Sequence, residues 1–554
     1  MKREGITGAA ALLRALRAMG VERIFASPGS DWAPLWEALA ADSYWFERYI
    51  SSRHEETAVG MATGYFKATG KLPAVVIHTT VGSLHAAMGV RAALHERVPM
   101  VVLAGESVAF AEGASSAGRQ WLRVLTDLGG PARLMEPTVK WSFGLNTSVI
   151  LPHTIQRACQ LAMSAPRGPV FVSVPTEMLM ETAAVEAPKA APPSPVTADP
   201  DAIASLAEAL AKARKPVIVT EELGRDVQAV EALVKLAETL GAPVLDGWHA
   251  DYVNFPRRHP LYAGVATEPV NEVVKEADFV LLAEAVAPWH PPSAITGVAV
   301  GALGEDPLHS NLPFWGYRAD HVVAGDARSS LKSLRALLKP RKPWREKRIS
   351  LDAVKPGSQI TAAWIAQELN AVLPADAIVV NETISHRGDI MKRLDKLGPG
   401  SFFEASYGGL GMGTGTALGV KYAQPRRPVA LLIGDGSFYY NPVPAAFGAC
   451  QEHNLPMLVV LFDNAGYFSQ KNDVLREYPQ GSAVKTNQFI GTSITPCPDY
   501  AMLAKAFGGH GERVTDPGEI VPAIKRAMVK TQEGTFALLE FITEKTKDFS
   551  IYAI

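Results

Sequence analysis

The sequence predicts an α/β fold made of three doubly wound, mainly parallel-sheet domains. The chain has 554 residues, and at roughly 100–200 residues per domain this length suits about three domains. Short runs of valine, isoleucine and leucine recur without polar alternation, which is typical of strands buried on both faces of a parallel sheet. Helical patterns lie between these runs, as in βαβ units.

Eight apolar runs are the predicted strands, and they occupy 73–80, 98–107, 168–175, 215–222, 277–285, 376–382, 427–436 and 455–464. Two stretches between them lack apolar periodicity and are predicted to be linkers. The stretch 186–200 is dense in proline and alanine, and 339–356 is basic and broken by proline. The predicted domains are therefore 1–185, 195–340 and 355–554.

Composition argues against several classes of protein. The 54 Lys and Arg residues against 56 Asp and Glu give a net charge of −2, and a nucleic-acid binder needs clustered positive charge. The three cysteines, Cys159, Cys450 and Cys497, are far apart, so we expect neither a disulfide framework nor a CxxC metal site, and a reducing, cytoplasmic compartment fits. No apolar run reaches about 18 residues, and no secretory signal pattern is present, so no membrane partner is expected.

Polar residues follow several of the predicted strands. In parallel α/β sheets, ligands bind beyond the carboxyl ends of the strands. The first candidate positions are therefore His78, Glu106, Glu382, Asp435 and Asn464.

The strongest local motif is Gly434-Asp435-Gly436, which ends one predicted strand. Asn464 ends the next strand 29 residues later (464 − 435), and Gly466 follows it. That interval suits one helix and one strand, so both polar groups should reach the same sheet edge. Carboxylate, amide and carbonyl oxygens suit Mg²⁺, and the glycines allow close approach of a phosphate. The alternative is a tight Gly-Asp-Gly turn with an unrelated asparagine.

These paired elements resemble the cofactor motif of thiamine diphosphate-dependent enzymes, the superfamily of acetohydroxyacid synthase, pyruvate oxidase and the decarboxylases. The family pattern has an asparagine pair where this chain has Asp463-Asn464, a mild departure. The resemblance implies that Asp435, Asn464 and the Gly466 carbonyl hold Mg²⁺, which in turn holds the diphosphate.

A second element, residues 53–65 (RHEETAVGMATGY), resembles the family helix whose glutamate bonds the aminopyrimidine ring of the cofactor. Glu55 matches by its position after the histidine, and Glu56 is the alternative. A glutamate in a dry pocket has a raised pKa, which suits sharing a proton with a ring nitrogen. The other interpretation is an exposed helix glutamate.

A third element, the Gly-rich segment 407–414, resembles the family segment with an apolar wedge that bends the cofactor. Leu410 is the predicted wedge, Met412 is the second choice, and a Gly-rich helix-packing turn is the alternative. Together, the residues that the resemblance implies for cofactor binding are Glu55, Gly408, Leu410, Met412, Gly434, Asp435, Gly436, Ser437, Asn464, Gly466, Tyr467, Phe468 and Thr383.

Three further residues resemble the active-site serine and the two catalytic histidines of benzoylformate decarboxylase. Ser30 stands in a similar Pro-Gly-Ser turn, His78 follows a strand, and His290 follows another. Histidine has an unperturbed pKa of about 6.5 and exchanges protons near neutrality. The alternatives are a helix N-cap for Ser30, a structural role for His78 and an exposed loop for His290.

The resemblance therefore implies a thiamine diphosphate- and Mg²⁺-dependent lyase, a 2-oxo acid decarboxylase with carboligase activity. The alternatives are an acetolactate synthase-like transferase or 2-hydroxyacyl lyase, and a cofactor-binding protein without chemistry. FAD is not expected, because 195–340 has no GxGxxG and Thr80-Val81-Gly82 replaces the Gly-Pro-Gly of flavin-linked relatives. His85 also stands where an asparagine is common.

The resemblance also implies partners. The substrate would be a 2-oxo acid or an aldehyde, and the protein would be a homodimer or homotetramer whose sites form where Glu55 and Asp435 meet across a subunit boundary. His386 is expected to face the cofactor beside Thr383. The polar stretch 471–497 is either a lid over the site or an ordinary excursion.

Overall fold

The structure of the protein is a computed structural model. It describes residues 6–108, 124–183, 190–248, 250–266, 270–346 and 352–544. Parts of both predicted linkers, 186–189 and 347–351, lie outside the described residues.

Within the described residues, the strands fall into three six-stranded sheets and one short pair, and the helices lie between them along the chain. Numbered in chain order, the strands are β1 (Ile6–Thr7), β2 (Ile24–Ser27), β3 (Tyr49–Ser51), β4 (Ala74–Ile77), β5 (Val101–Glu106), β6 (Trp141–Gly144), β7 (Val170–Pro175), β8 (Thr182–Ala183), β9 (Pro216–Thr220), β10 (Val244–Asp246), β11 (Tyr262–Val265), β12 (Phe279–Ala283), β13 (Ala299–Gly304), β14 (His321–Ala324), β15 (Ile378–Glu382), β16 (Phe402–Glu404), β17 (Val429–Gly434), β18 (Leu458–Asp463), β19 (His510–Val514) and β20 (Ala537–Ile542).

The α-helices, numbered in the same way, are α1 (Gly8–Ala18), α2 (Ala33–Ala40), α3 (Glu55–Thr69), α4 (Thr80–His95), α5 (Pro131–Met135), α6 (Leu151–Met163), α7 (Thr176–Met180), α8 (Pro200–Lys212), α9 (Val227–Leu240), α10 (Glu272–Lys275), α11 (Ala327–Ala336), α12 (Ala362–Val372), α13 (Arg387–Arg393), α14 (Gly413–Ala423), α15 (Asp435–Tyr440), α16 (Val443–Glu452), α17 (Phe468–Glu477), α18 (Ser482–Thr486), α19 (Tyr500–Ala506) and α20 (Ile520–Gln532). No helix among the described residues is long and apolar enough to cross a membrane.

Every strand pair within the three large sheets is parallel, whereas β1 and β8 form a short antiparallel pair. The sheet orders are β3-β2-β4-β5-β7-β6, β11-β10-β9-β12-β13-β14 and β16-β15-β17-β18-β20-β19. The predicted fold class is confirmed, and each of the eight apolar runs contains a strand. Their side chains are almost entirely buried, as expected for strands with both faces covered.

The chain divides into two compact units. The first contains 1–194, 405–426 and 439–456, and the second contains the rest of the chain. The first sheet lies in the first unit, and the other two lie in the second. The predicted domain limits stay a prediction.

Glycines explain why α14 packs within the first unit rather than with the strands next to it in sequence. A Cβ on Gly64 of α3 would lie 2.0 Å from the carbonyl oxygen of Thr416, and a Cβ on Gly419 would lie 2.0 Å from that of Met61. The backbones of α3 and α14 therefore touch, and side chains at these glycines would force the helices apart.

The strand orders locate the places where ligands bind. A switch point is the place where the chain leaves two neighbouring strands toward opposite edges of the sheet. It lies between β2 and β4 in the first sheet, between β9 and β12 in the second, and between β15 and β17 in the third. Ligands of open α/β sheets bind at such switch points, beyond the carboxyl ends of the strands. The second sheet has the 3-2-1-4-5-6 order found in dinucleotide-binding domains.

Candidate functional site

A buried carboxylate–histidine pair lies at the switch point of the first sheet. Asp31 follows β2, and His78 follows the neighbouring β4. Nδ1 of His78 lies 2.8 Å from Oδ1 of Asp31. The side chain of Asp31 is fully buried, whereas that of His78 is 17% exposed. The structure therefore places a predicted catalytic histidine where a ligand would bind, with an acidic partner behind it.

Two glycines make room for this pair. A Cβ on Gly29 would lie 2.2 Å from Nδ1 of His78, and a Cβ on Gly105 would lie 1.8 Å from Oδ2 of Asp31. Neither distance is compatible with a real contact, so larger residues at 29 or 105 would displace the pair.

The electrostatic surroundings of His78 favour its protonated form. Burial opposes protonation, but the hydrogen bond and charge of Asp31, together with the charge of Glu55, raise the pKa of His78 above its ordinary value. The charges of Asp31 and Glu55 therefore stabilise the imidazolium form of His78.

Glu55 opens α3 close to His78. A Cβ on Gly82 of α4 would lie 3.0 Å from Cβ of His78 and 3.1 Å from Oε1 of Glu55, so the two side chains adjoin the same glycine. Nδ1 of His85 lies 3.4 Å from Oε2 of Glu55. The structure therefore gathers Asp31, His78, Glu55 and His85 in one region of the first unit.

Glu56 has different surroundings. A Cβ on Gly411 would lie 2.8 Å from its Oε1, and burial raises the pKa of Glu56 to about 7. Its neighbour His54 caps the helix, because Nδ1 of His54 accepts a hydrogen bond from the backbone N–H of Glu56. Thus Glu55 adjoins His78, whereas Glu56 adjoins the Gly-rich segment.

We predict that Glu56→Gln stabilises the cofactor-free protein at pH 8 but not at pH 5. The folded-state pKa of about 7 exceeds the ordinary 4.5. The stability contributed by protonated Glu56 is therefore complete below about pH 4.5 and is lost as the pH rises through 7. Thermal unfolding of both proteins at the two pH values measures the difference, and an equal Tm shift at pH 5 and pH 8 would contradict this account.

The Gly-rich segment 407–414 presents Leu410 and buries Met412. Leu410 is partly exposed, but Met412 is 2% exposed. A Cβ on Gly89 of α4 would lie 2.9 Å from Sδ of Met412, so this side chain belongs to the helix packing. Gly409 and Gly411 have φ values of +134° and +110°, which favour glycine. These positions favour Leu410 over Met412 as the predicted wedge.

Three predicted magnesium ligands adjoin one another in the second unit. Asp435 follows β17, and Asn464 follows its neighbour β18. The backbone N–H of Gly466 donates to Oδ2 of Asp435 at 3.0 Å and to Oδ1 of Asn464 at 3.2 Å. Asp435 and Asn464 are 2% and 4% exposed. The asparagine is therefore a spatial neighbour of the Gly-Asp-Gly motif.

The donor set fits a magnesium ion. Carboxylate, amide and backbone carbonyl oxygens are hard ligands of the kind that Mg²⁺ takes. Burial and the nearby charge of Asp463 raise the pKa of Asp435 to about 7, so a cation here would offset two buried acidic groups. The identity of Mg²⁺ and the ligand roles stay predictions.

Thr383 and His386 lie between β15 and α13, beyond the carboxyl end of a strand of the third sheet. Nε2 of His386 is 3.4 Å from Nδ2 of Asn464, and burial lowers the pKa of His386 to about 4. A neutral His386 accepts from the amide, which orients Oδ1 of Asn464 toward Gly466. Thr383 is fully buried and donates its hydroxyl to Oδ1 of Asn381 at 2.9 Å.

The remaining predicted cofactor residues of the second unit flank Asp435. Gly436 adjoins the ring of Tyr467, because a Cβ at 436 would lie 2.8 Å from Cδ1 of that ring. Ser437 and Phe468 are 5% and 7% exposed, and Gly434 ends β17. Their roles in holding the cofactor stay predictions. In the first unit, Gly408 is tied to α4, since Arg91 donates to its carbonyl oxygen at 2.7 Å.

Ser30 and His290 are exposed. Ser30 begins a short 3₁₀ helix, and no side chain caps that helix or the following α2, so the N-cap alternative is not supported. His290 lies in the loop after β12, where Trp289 is the buried neighbour. Among the described residues, no hydrogen bond or ion pair involves the ring of His290, and its catalytic role stays a prediction.

The segment 471–497 belongs to an excursion whose two ends pair with each other. The N–H of Tyr467 donates to the carbonyl of Thr492, the N–H of Ile494 donates to that of Ala465, and Gly466 bridges Ser493. The excursion is thus anchored at the loop that carries Asn464. Both interpretations, lid and ordinary excursion, stay open.

A carboxylate fills the switch point of the second sheet. Glu221 follows β9 and is fully buried, and it accepts hydrogen bonds from the backbone N–H groups of Val286 and Ala287, which follow β12. A Cβ on Gly247 would lie 2.4 Å from Cδ of Glu221. In dinucleotide-binding domains, backbone N–H groups at the switch point of the sheet bind the phosphates of the ligand. Here the side chain of Glu221 accepts from them instead.

Sequence reasoning missed Asp31 and Glu221. Glu221 directly follows β9, so the rule that pointed to His78 and Asp435 applied to it as well, whereas Asp31 lies four residues beyond the end of β2, in the short 3₁₀ helix 30–32. What the sequence lacks is the strand order, which brings Asp31 to His78 and Glu221 to the residues after β12.

Comparisons with known proteins agree with this arrangement. The N-terminal TPP binding domain of thiamine pyrophosphate enzymes matches residues 6–123, the central domain matches 203–289, and the C-terminal TPP binding domain matches 385–541.

Relatives match over nearly the whole chain. Benzoylformate decarboxylase from Pseudomonas aeruginosa is 28% identical over 534 residues, which cover 93% of this chain and 95% of that protein. Acetolactate synthase isozyme 2 large subunit from Escherichia coli K12 is 27% identical, covering 97% of this chain and 96% of that one. A solved thiamine diphosphate-dependent 4-hydroxybenzoylformate decarboxylase from Rhodococcus jostii RHA1 is 26% identical, with a TM-score of 0.84, and covers 98% of this chain and 100% of that chain.

The three domain matches together span more than half of the chain, and they contain both the Glu55 region and the Asp435 region. The two TPP binding domains imply thiamine diphosphate as the cofactor. The chain therefore belongs to the thiamine pyrophosphate-dependent enzyme family, with its N-terminal, central and C-terminal domains.

Proposed function

We propose that the protein is a thiamine diphosphate- and Mg²⁺-dependent lyase that decarboxylates a 2-oxo acid without oxidation, and that joins the product to an aldehyde acceptor when one is present. The observation that carries the proposal is the His78–Asp31 pair beside Glu55 at the switch point of the first sheet. Relatives named as decarboxylases of 2-oxo acids support it.

The residues of this chain would divide the work between two sites. Asp435, Asn464 and the Gly466 carbonyl would hold the metal ion and, with it, the cofactor diphosphate. When bound, thiamine diphosphate supplies the nucleophilic carbon and accepts the electrons of the broken carbon–carbon bond. Glu55 would hold a proton at the aminopyrimidine ring.

The substrate groups would meet polar side chains of the first unit. The exposed hydroxyl of Ser30 would donate to the substrate carboxylate, and His78 would give and take protons at the reacting oxygen and carbon. His290 would be a second proton donor. We also propose that the sites form between copies of this chain, because the helix that carries His85 exposes apolar side chains: Val81 is 39% and Leu84 is 51% exposed.

A panel of 2-oxo acids with aromatic and branched side chains tests the proposal. Purified protein with thiamine diphosphate and Mg²⁺ is expected to release CO₂ and an aldehyde, measured by mass spectrometry. His78→Ala should lower kcat by about 100-fold, within the range of general acid–base catalysis. The matched control is His153→Ala on the exposed face of α6, which should keep wild-type turnover. Full turnover by His78→Ala would contradict the mechanism.

An acetolactate synthase-like reaction is the alternative for the same panel. The strand order of the second sheet is one that binds dinucleotides, but Glu221 occupies the backbone N–H groups at its switch point. This occupancy supports a flavin-free lyase. Acetohydroxy acid products and a flavin absorbance spectrum of the purified protein would favour the synthase instead.

A further inference from the structure

We propose that Asp31 is a positioning residue for His78: its buried carboxylate keeps a proton on Nδ1 of the imidazole and thereby directs Nε2 to proton exchange with the substrate. The inference rests on the proposed function, in which His78 transfers protons. It adds a residue that acts through His78 and does not itself touch substrate.

The backbone around the pair is fixed on both strands. The indole N–H of Trp32 donates to the carbonyl of Ile77 at 2.7 Å, which ties the residue after Asp31 to the residue before His78. The hydroxyl of Thr176 donates to the carbonyl of Asp31 at 2.9 Å. With Gly29 and Gly105 closing over the ring and the carboxylate, Asp31 and His78 are held in register.

The hydrogen bonding of the Asp31 side chain is directed at His78. Oδ1 faces His78 at 2.8 Å, whereas Oδ2 is buried and has no hydrogen-bond partner among the described residues. A buried carboxylate that anchors a fold is normally satisfied by several donors, because an unmet oxygen costs free energy. Among the described residues, the Asp31 side chain makes one hydrogen bond, and its partner is the imidazole of His78.

The chemistry of the pair follows from the two ring nitrogens. With its proton on Nδ1 shared with Asp31, neutral His78 carries its lone pair on Nε2 and accepts a proton there. After protonation, the charge of Asp31 stabilises the imidazolium, as does Glu55 from α3. The other titratable groups beside Glu55 are His85, which faces it from α4, and His54, whose ring stacks on that of His85.

Three variants separate charge, contact and position. Asp31→Asn keeps a hydrogen-bond acceptor but removes the charge, Asp31→Ala removes both, and Gly105→Ala displaces the unaltered carboxylate. The matched control is Glu238→Gln, which removes the carboxylate from the His259–Glu238 pair on the surface of the second unit. Thermal unfolding and circular dichroism confirm that each variant is folded.

Two readouts are expected to move together. The pH profile of kcat/KM should show an apparent pKa that belongs to His78, and this pKa should be lower by about 1 unit in Asp31→Asn. The reason is that an opposite charge at hydrogen-bond distance shifts a pKa by roughly 1–3 units. At pH 7, kcat should fall about 10-fold in Asp31→Asn and about 100-fold in Asp31→Ala, while KM changes less than about 3-fold. The control should keep the wild-type profile.

The second readout needs no turnover. In protein labelled with ¹³C at histidine Cε1, the resonance of His78, assigned through His78→Gln, should titrate at lower pH in Asp31→Asn and Gly105→Ala than in the wild-type protein. An unchanged titration, or an unchanged pH profile in a folded Asp31→Asn, overturns the proposal. Failure of the proposed function would appear separately, as wild-type protein that decarboxylates no 2-oxo acid while the titration still reports the pair.

Discussion

Glu55→Gln is expected to lower turnover by about 10⁴-fold, at the upper end of what a positioned acid–base group contributes. Glutamine keeps the shape and a hydrogen-bonding group, but it holds no negative charge and shares no proton with a ring nitrogen. Since every turnover would begin with cofactor activation, the loss should affect every substrate equally. Turnover is measured at saturating thiamine diphosphate and Mg²⁺.

The neighbouring glutamate gives the control. Glu56 adjoins Gly411 and does not share the glycine contact that places Glu55 beside His78, so Glu56→Gln should stay within about 3-fold of wild-type turnover. Cofactor affinity, measured by quenching of tryptophan fluorescence, should change less than turnover in Glu55→Gln. An inactive Glu56→Gln beside an active Glu55→Gln would transfer the cofactor role to Glu56 and contradict this assignment.

The parts of the fold that local sequence dictates were predictable. A strand buried on both faces needs a continuous apolar run, so runs such as 427–436 and 455–464 identify β17 and β18 without any knowledge of their partners. Consecutive parallel strands are commonly neighbours in a sheet. The arrival of Asp435 and Asn464 at one sheet edge followed from that rule, whereas their shared hydrogen-bond donor, the N–H of Gly466, did not.

The parts that depend on strand order or on packing between distant segments were not predictable. Asp31 and His78 are 47 residues apart, and only the placement of β2 beside β4 joins them. The packing of α14 against α3 depends on glycines such as Gly64 and Gly419, whose close contacts no local pattern reveals. The local sequence likewise did not show that Trp289 is buried while His290 beside it is exposed.

One physical idea connects the three switch points. Each lies at the carboxyl edge of a parallel sheet, and each carries a buried acidic residue: Asp31, Glu221 and Asp435. Their partners differ, being an imidazole, two backbone N–H groups, and the N–H groups of Gly436 and Gly466. The same sheet geometry therefore places a buried acidic group in three different surroundings.

Asp435→Asn is expected to weaken binding of the Mg²⁺–thiamine diphosphate pair by roughly a thousandfold. Two opposite unit charges about 4 Å apart attract each other by about 4 kcal/mol at an effective dielectric constant of 20, and Asp435→Asn removes one such attraction. Each 1.4 kcal/mol of binding free energy corresponds to a factor of ten in affinity. Calorimetric titration of the cofactor in the presence of Mg²⁺ measures the affinity. The matched control is Asp395→Asn in the second unit, where the aspartate pairs with Arg258 at 2.9 Å on the surface, and it should bind the cofactor as wild type does.

The same variant should bind poorly without unfolding, and this separates a ligand role from a structural one. Burial and Asp463 raise the pKa of Asp435 to about 7, above its ordinary 3.8. Its stabilising contribution is therefore complete below about pH 4 and is lost as the pH rises through 7. At pH 8 the charged form destabilises the cofactor-free protein, and asparagine relieves that cost while losing an acceptor for one backbone N–H. We expect Asp435→Asn to match the wild-type free energy of unfolding at pH 8 within about 1 kcal/mol. Wild-type cofactor affinity in the folded variant would show that Asp435 is not a metal ligand, and a large loss of stability would point to a structural role instead.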